Sequence, residues 1–177
     1  MFIYLGFCKR VNKNAPLAEK IKTKIIQWYT KSQYFHVILG INGQYISSEP
    51  SNGVICKPIE ELENVLDYDF YRIRLSVAPL TKQQLAVFKR FIREQIGKEY
   101  DWLGIIGRVF TILRDNSNKW FCSEIVAKLL QLLYVEELLC YEPSEITPGK
   151  LYQLLSHKLE KITITTIGQF CHKGGII

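Results

Sequence analysis

The chain has no CxxC pair, no run of like charge, no internal repeat and no apolar stretch long enough to cross a bilayer. Each absence removes a class of protein. The five cysteines, Cys8, Cys56, Cys122, Cys140 and Cys171, are odd in number. Without close pairing they suggest neither a disulfide framework nor a zinc ribbon. Free thiols in a reducing compartment are expected instead. The three histidines, His36, His157 and His172, lie far apart with no ligand spacing, so no metal site and no cofactor are expected. Residues 1–7 form a short apolar segment with no basic region before it and no small-residue cleavage site after it, unlike a signal peptide. The expectation is a soluble, intracellular protein, with its oligomeric state left open. The 23 basic residues outnumber the 17 acidic ones and give a net charge of +6. That balance suits an anionic partner such as a lipid headgroup or a cell-wall polymer. The lysines are scattered, however, as on any solvated surface, and no groove-reading motif is visible, so nucleic acid is not expected as a partner.

What is present suits one domain. The length of 177 residues allows a sizeable core, and 47% hydrophobic with 23% charged residues is ordinary for a globular protein. One domain over residues 1–170 with a tail at 171–177 is expected. Residues 2–7 read as a strand. Asn14-Ala15-Pro16 opens a helix on which Leu17, Ile21, Ile25 and Trp28 recur at spacings of four, four and three. That spacing predicts one buried face, with Lys20, Lys22 and Lys24 on other faces. Residues 34–41 and 44–49 are strand-like and flank Asn42-Gly43, the preferred two-residue type I′ turn. Further strands are expected at 54–56 and 70–75. Thr81 is the expected N-cap of a helix to about Ile96, with Leu85, Phe88, Ile92 and Ile96 on one face and Gly97 ending it. An apolar stretch runs from Trp102 to Leu113. A helix then starts at Cys122 and carries Ile125, Val126, Leu129, Leu130 and Leu133. Thr147-Pro148 opens a short helix to about His157, and residues 161–167 read as a last strand. This order predicts an α+β domain with an antiparallel sheet.

The chemistry centres on Phe121-Cys122-Ser123-Glu124. A cysteine in the first turn of a helix meets unpaired backbone N–H groups and the positive end of the helix dipole. Both favour the thiolate, which is the nucleophile. His36 on an upstream strand is the candidate base. With Asn42 and Gly43 at the turn, paired hairpin positions sum to 85, so His36 faces Glu49 in a non-hydrogen-bonded pair. Side chains in such pairs lie close enough to touch. A carboxylate beside an imidazole fixes its tautomer, as the third member of a catalytic triad does. The plainer readings stand beside this one. A buried cysteine is usually a small hydrophobe, and an exposed His–Glu pair on a sheet is common. Glu124 reads as an acid stabilising the helix dipole, outside the catalytic group.

Four segments together resemble a known family. They are residues 34–40, residues 45–50 with Gly53-Val54, Gly97-Lys98-Glu99-Tyr100-Asp101, and Phe121-Cys122-Ser123-Glu124. In order and spacing they are similar to the circularly permuted papain-like cysteine hydrolases. This permuted branch of the NlpC superfamily takes in YiiX-like bacterial and phage proteins, poxvirus relatives and lecithin:retinol acyltransferase. The resemblance covers about residues 2–155 and implies a permuted papain-like fold, in which the histidine strand precedes the cysteine helix. It implies Cys122 as nucleophile, His36 as base, Glu49 at the place of the third polar residue, and Tyr100 as an aromatic lining the substrate cleft.

The activity implied is hydrolysis of an amide, ester or thioester in a peptide, cell-wall fragment or lipid, through an acyl-enzyme. His36 would take the Cys122 proton, and backbone N–H groups at the helix start would hold the oxyanion. The lack of a leader or wall-binding domain speaks against peptidoglycan unless lysis releases the enzyme. An acyltransferase or phospholipase on the same fold, and a catalytically silent binding protein, are the alternatives.

Overall fold

The computed structural model describes residues 3–11, 16–62, 67–75, 81–101, 119–163, 165 and 167. The apolar stretch from Trp102 to Leu113 and the tail at 171–177 lie outside the described residues. The elements are strand β1 (Ile3–Arg10), helix α1 (Leu17–Thr30), strands β2 (His36–Ile41), β3 (Gln44–Glu49), β4 (Gly53–Pro58) and β5 (Asp67–Ile73), helix α2 (Lys82–Gln95), two-residue strands β6 (Glu99–Tyr100) and β7 (Lys119–Trp120), helices α3 (Cys122–Leu132) and α4 (Pro148–Leu155), and strand β8 (Leu159–Ile162). Six strands form one sheet in the order β4-β3-β2-β1-β5-β8, and every neighbouring pair in it is antiparallel. The architecture is α+β with an antiparallel sheet, as the element order predicts.

The central strands are apolar on both faces because both are covered. Ile3, Leu5 and Phe7 of β1 join Val37, Leu39 and Ile41 of β2 in the larger core cluster, with the inner face of α3. Tyr4, Ile38, Tyr45 and Phe70 form a second cluster on the opposite face. The β2–β3 hairpin has the expected register, Leu39 with Ile46, Gly40 with Tyr45 and Ile41 with Gln44. Asn42 and Gly43 both take positive φ, 45° and 82°, as a type I′ turn requires. Helix α2 starts at a reciprocal cap. The Thr81 hydroxyl accepts from the Gln84 N–H, and the Gln84 side chain accepts from the Thr81 N–H. Phe88 and Ile92 are buried as expected, whereas Ile96, at the C-cap, is exposed.

Helix α1 overturns the expected face. Leu17, Ile21, Ile25 and Trp28 are 72%, 50%, 46% and 77% exposed, and Thr23 and Ile26 are buried in their place. The periodicity identified an apolar stripe correctly, but periodicity carries no information on which side of a helix meets the core. The seating is fixed by Thr23 and Ile26 and by Gln27. Its amide donates to the Lys9 and Gln33 carbonyls at 2.9 and 2.6 Å, tying the helix to the end of β1. The last strand also differs. It ends at Ile162, residues 165 and 167 are helical, and Ile167 packs into the second cluster.

One buried acid links three strands. Asp69 of β5 receives Lys9 of β1 at 2.7 Å, Lys161 of β8 at 3.3 Å and the Tyr34 hydroxyl at 2.9 Å. Burial alone would raise its pKa, but these donors hold the carboxyl below its usual range.

Candidate active site

The segment ahead of Cys122 is held in place from two sides. β7 pairs in parallel with β6, with Tyr100 opposite Trp120. The Ser48 hydroxyl donates to the Trp120 carbonyl at 2.7 Å, and the Trp120 indole donates to Gln95 of α2 at 2.9 Å. α3 then begins at Cys122, with Phe121 as an extended N-cap, and packs on β2 and β3. Phenylalanine has no capping oxygen, so the cap is supplied from within the helix. The Glu124 carboxylate accepts from the Phe121 N–H at 3.2 Å. Glu124 is thus a helix-start residue, as expected. The Ser123 hydroxyl donates to the Ile146 carbonyl and fixes the same turn against the loop before α4.

The β6 segment is stitched to β4. The Val54 N–H donates to the Lys98 carbonyl and the Gly97 N–H to the Val54 carbonyl, both at 2.8 Å. Gly53 makes this possible. It has φ +65°, and a Cβ there would lie 2.2 Å from the Lys98 carbonyl oxygen. Gly53→Ala is expected to cost about 2 kcal/mol, from a left-handed backbone and a clash with main chain. A urea denaturation midpoint lowered without a change in slope would register it.

His36, Glu49 and Tyr100, three of the predicted site residues, line one cleft of about 440 Å³, together with Tyr45 and Tyr68. Glu19, Thr23 and Ile26 of α1 contribute to the wall. Cys122 is fully buried and is not among the lining residues. It lies within electrostatic reach of the cleft. Burial pushes the Tyr68 and Tyr100 phenols well above their ordinary range, and a thiolate at Cys122 would push both further. Cys8, opposite His36 in the β1–β2 ladder, feels Cys122 as well. Burial pushes the Cys8 thiol up to about 12, and Cys56 up to about 11, so both are poor nucleophiles at neutral pH.

His36 sits at the first position of β2, with Tyr68 against its edge at 6.5 Å between ring centroids. Burial lowers its pKa to about 4, so at neutral pH the ring is uncharged. The ring hydrogen-bonds through Nε2 to the Ser47 hydroxyl at 3.0 Å, and among the described residues it makes no such bond to Cys122 or Glu49. The Glu49 carboxylate instead accepts from Asn52 at 3.1 Å. The expected His36–Glu49 contact is therefore replaced. The ladder pairs residues 39–41 with 44–46; extended with the same sum of 85, it makes Ser47 a diagonal neighbour of His36 on the same sheet face. Diagonal pairs in a twisted ladder come within side-chain reach. Glu49 ends its strand and turns toward the loop at 50–52. The pairing rule that pointed to Glu49 contained Ser47 as well, two residues back along the same face. No protein-family model matches the chain and no curated protein matches it in sequence, so any function rests on the chemistry of the site itself.

Proposed function

We propose that the chain is a cysteine hydrolase of the permuted papain-like type, cleaving an amide, ester or thioester through an acyl-enzyme. The observation that carries this reading is a cysteine opening a helix that packs on the two strands bearing His36 and its hydrogen-bond partner, beside a cleft. The His36–Ser47 contact leaves the tautomer open; we take the one in which Nε2–H donates to Ser47, so that the basic nitrogen of the neutral ring is Nδ1. Nδ1 takes the Cys122 thiol proton as the sulfur attacks the carbonyl carbon. The oxyanion is held by backbone N–H groups of the helix start, the Cys122 N–H among them. The Phe121 N–H is already engaged by Glu124. The imidazolium then protonates the leaving group, and water, deprotonated by Nδ1, releases the acid and restores the thiol. Tyr100 is assigned to the substrate wall of the cleft. Cys122 is buried at rest, so catalysis requires the sulfur to become accessible from the cleft and to reach Nδ1 once substrate is bound; catalytic hydrogen bonds commonly tighten only in the substrate complex.

The test is to offer a panel of activated amide, ester and thioester donors and read the intact mass. A single acyl adduct on wild type, mapped to Cys122 and absent from Cys122→Ala, is the expected result. Labelling spread equally over Cys8, Cys56 and Cys140 would defeat the proposal. A fatty-acyl donor that loads Cys122 where a peptide amide does not would redirect it toward a lipase or acyltransferase.

A second reading has a specific observation behind it. The full burial of Cys122 and the engagement of His36 by Ser47 suit a binding module that keeps the fold without turnover. Ligand retention in the cleft, unaltered in Cys122→Ala and unaccompanied by any adduct, would mark it.

A further inference from the structure

We infer that the outward face of α1 is a docking surface for an anionic lipid bilayer. The stripe of Leu17, Ile21, Ile25 and Trp28 spans the helix and is the largest run of exposed apolar side chains on any one element among the described residues. At 100° per residue these four side chains fall within about 80° of arc. On one flank of that arc stand Lys20 and the exposed Lys24, with exposed Lys31 at the C-cap. The one acidic residue of the helix, Glu19, falls on the opposite side, where it lines the cleft. An apolar face bordered by lysines, with its acid turned away, is the pattern of a helix that lies in the plane of a membrane interface. Trp28, near the end of the stripe, has the amphipathic ring that favours headgroup depth. A length of about 21 Å lets α1 lie flat without spanning. The net charge of +6 favours the same surface.

Docking in this way has a consequence for the cleft. Glu19, Thr23 and Ile26, on the other side of the same helix, form part of its wall. A bilayer seated on α1 would therefore lie beside the cleft. The docking itself does not depend on any chemistry at Cys122 and would stand if the hydrolase reading fell.

The full chain is sedimented with phosphatidylcholine vesicles that contain or lack phosphatidylserine. Binding to the anionic vesicles is expected, weakening as salt is raised. Ile21→Glu with Trp28→Glu is expected to lower partitioning at least about tenfold, since two apolar anchors are lost. Lys20→Gln with Lys24→Gln is expected to lower it on anionic vesicles only. All four positions lie on the outside of the helix, and an unchanged far-ultraviolet spectrum verifies folding; the lysine pair tests the proposal even if the apolar pair misfolds. No binding to anionic vesicles, or binding untouched by both pairs, overturns the inference. A self-associating chain that becomes monomeric in the apolar double variant, with no vesicle binding, also overturns it and assigns the face to a second copy.

Discussion

His36→Gln is expected to lower kcat/KM for an acyl donor about a thousandfold, within the range for removal of a general base. Glutamine keeps polar atoms near the Ser47 hydroxyl but offers no basic nitrogen, so the thiol proton has no acceptor. The companion variants carry the sharper information. Ser47→Ala is expected to lower the rate about fivefold, the kinetic equivalent of a neutral hydrogen bond worth about 1 kcal/mol. It should also shift the ring tautomer, read from the imidazole nitrogen chemical shifts, which a purely structural loss would leave alone. Glu49→Gln is expected to change the rate less than Ser47→Ala, because the Glu49 carboxylate is engaged by Asn52 and not by the ring. A large loss in Glu49→Gln with none in Ser47→Ala would mean that the substrate-bound site restores the direct cross-strand pairing, with Ser47 a resting partner only. Steady-state rates on the donor that labels Cys122 provide the measurement.

The hairpin and α3 were legible in the sequence for the same physical reason. Each combines a period with a local signal that fixes its phase. In the hairpin the alternation is anchored by Asn42-Gly43, where only a type I′ turn satisfies two positive φ values, and the register follows. In α3 the acid at Glu124 marks the first turn, and Ile125, Val126, Leu129 and Leu130 are buried as their spacing requires. Helix α1 has the period without a phase anchor. Its apolar stripe is real, but the decision to turn Ile26 inward depends on carbonyls at residues 9 and 33 that Gln27 happens to reach. Ser47 was hidden for a related reason. Pairing in a flat ladder is between opposite residues, and twist makes a diagonal partner as accessible. The burial of Cys122 could not be read at all, since no local pattern at a helix start reports how the rest of the chain packs around one sulfur.

The second large effect concerns stability in acid, and it follows from the burial of one imidazole. In the unfolded chain His36 takes up its proton near pH 6.5, whereas in the fold burial delays that uptake to about 4. Above pH 6.5 both states hold the ring neutral and the difference contributes nothing. As pH falls through the window from 6.5 to 4, only the unfolded state gains the proton, so stability declines throughout. The loss amounts to about 3 kcal/mol, a substantial fraction of a domain's usual stability. Asp69 and Glu137 act lower down. Burial opposes ionisation of both, but hydrogen bonds from Lys9 and Tyr34 to Asp69, and from Lys158 and His157 to Glu137, hold their carboxyls below the ordinary values of 3.8 and 4.5. Their contributions are full above those values and disappear only beneath them, so the two windows meet only between pH 4.5 and 4. His36→Gln is therefore expected to flatten the decline between pH 6.5 and 4 while leaving the steeper fall below pH 4 in place. Urea unfolding at half-unit pH steps would measure it. A variant whose stability still falls by about 3 kcal/mol across the upper window would show that the ring titrates in the fold as it does in the unfolded chain. An imidazole that titrates near 6.5 is still neutral and basic at pH 7, so that outcome would remove the burial effect on stability and leave the assignment of Nδ1 as base to the rate measurements.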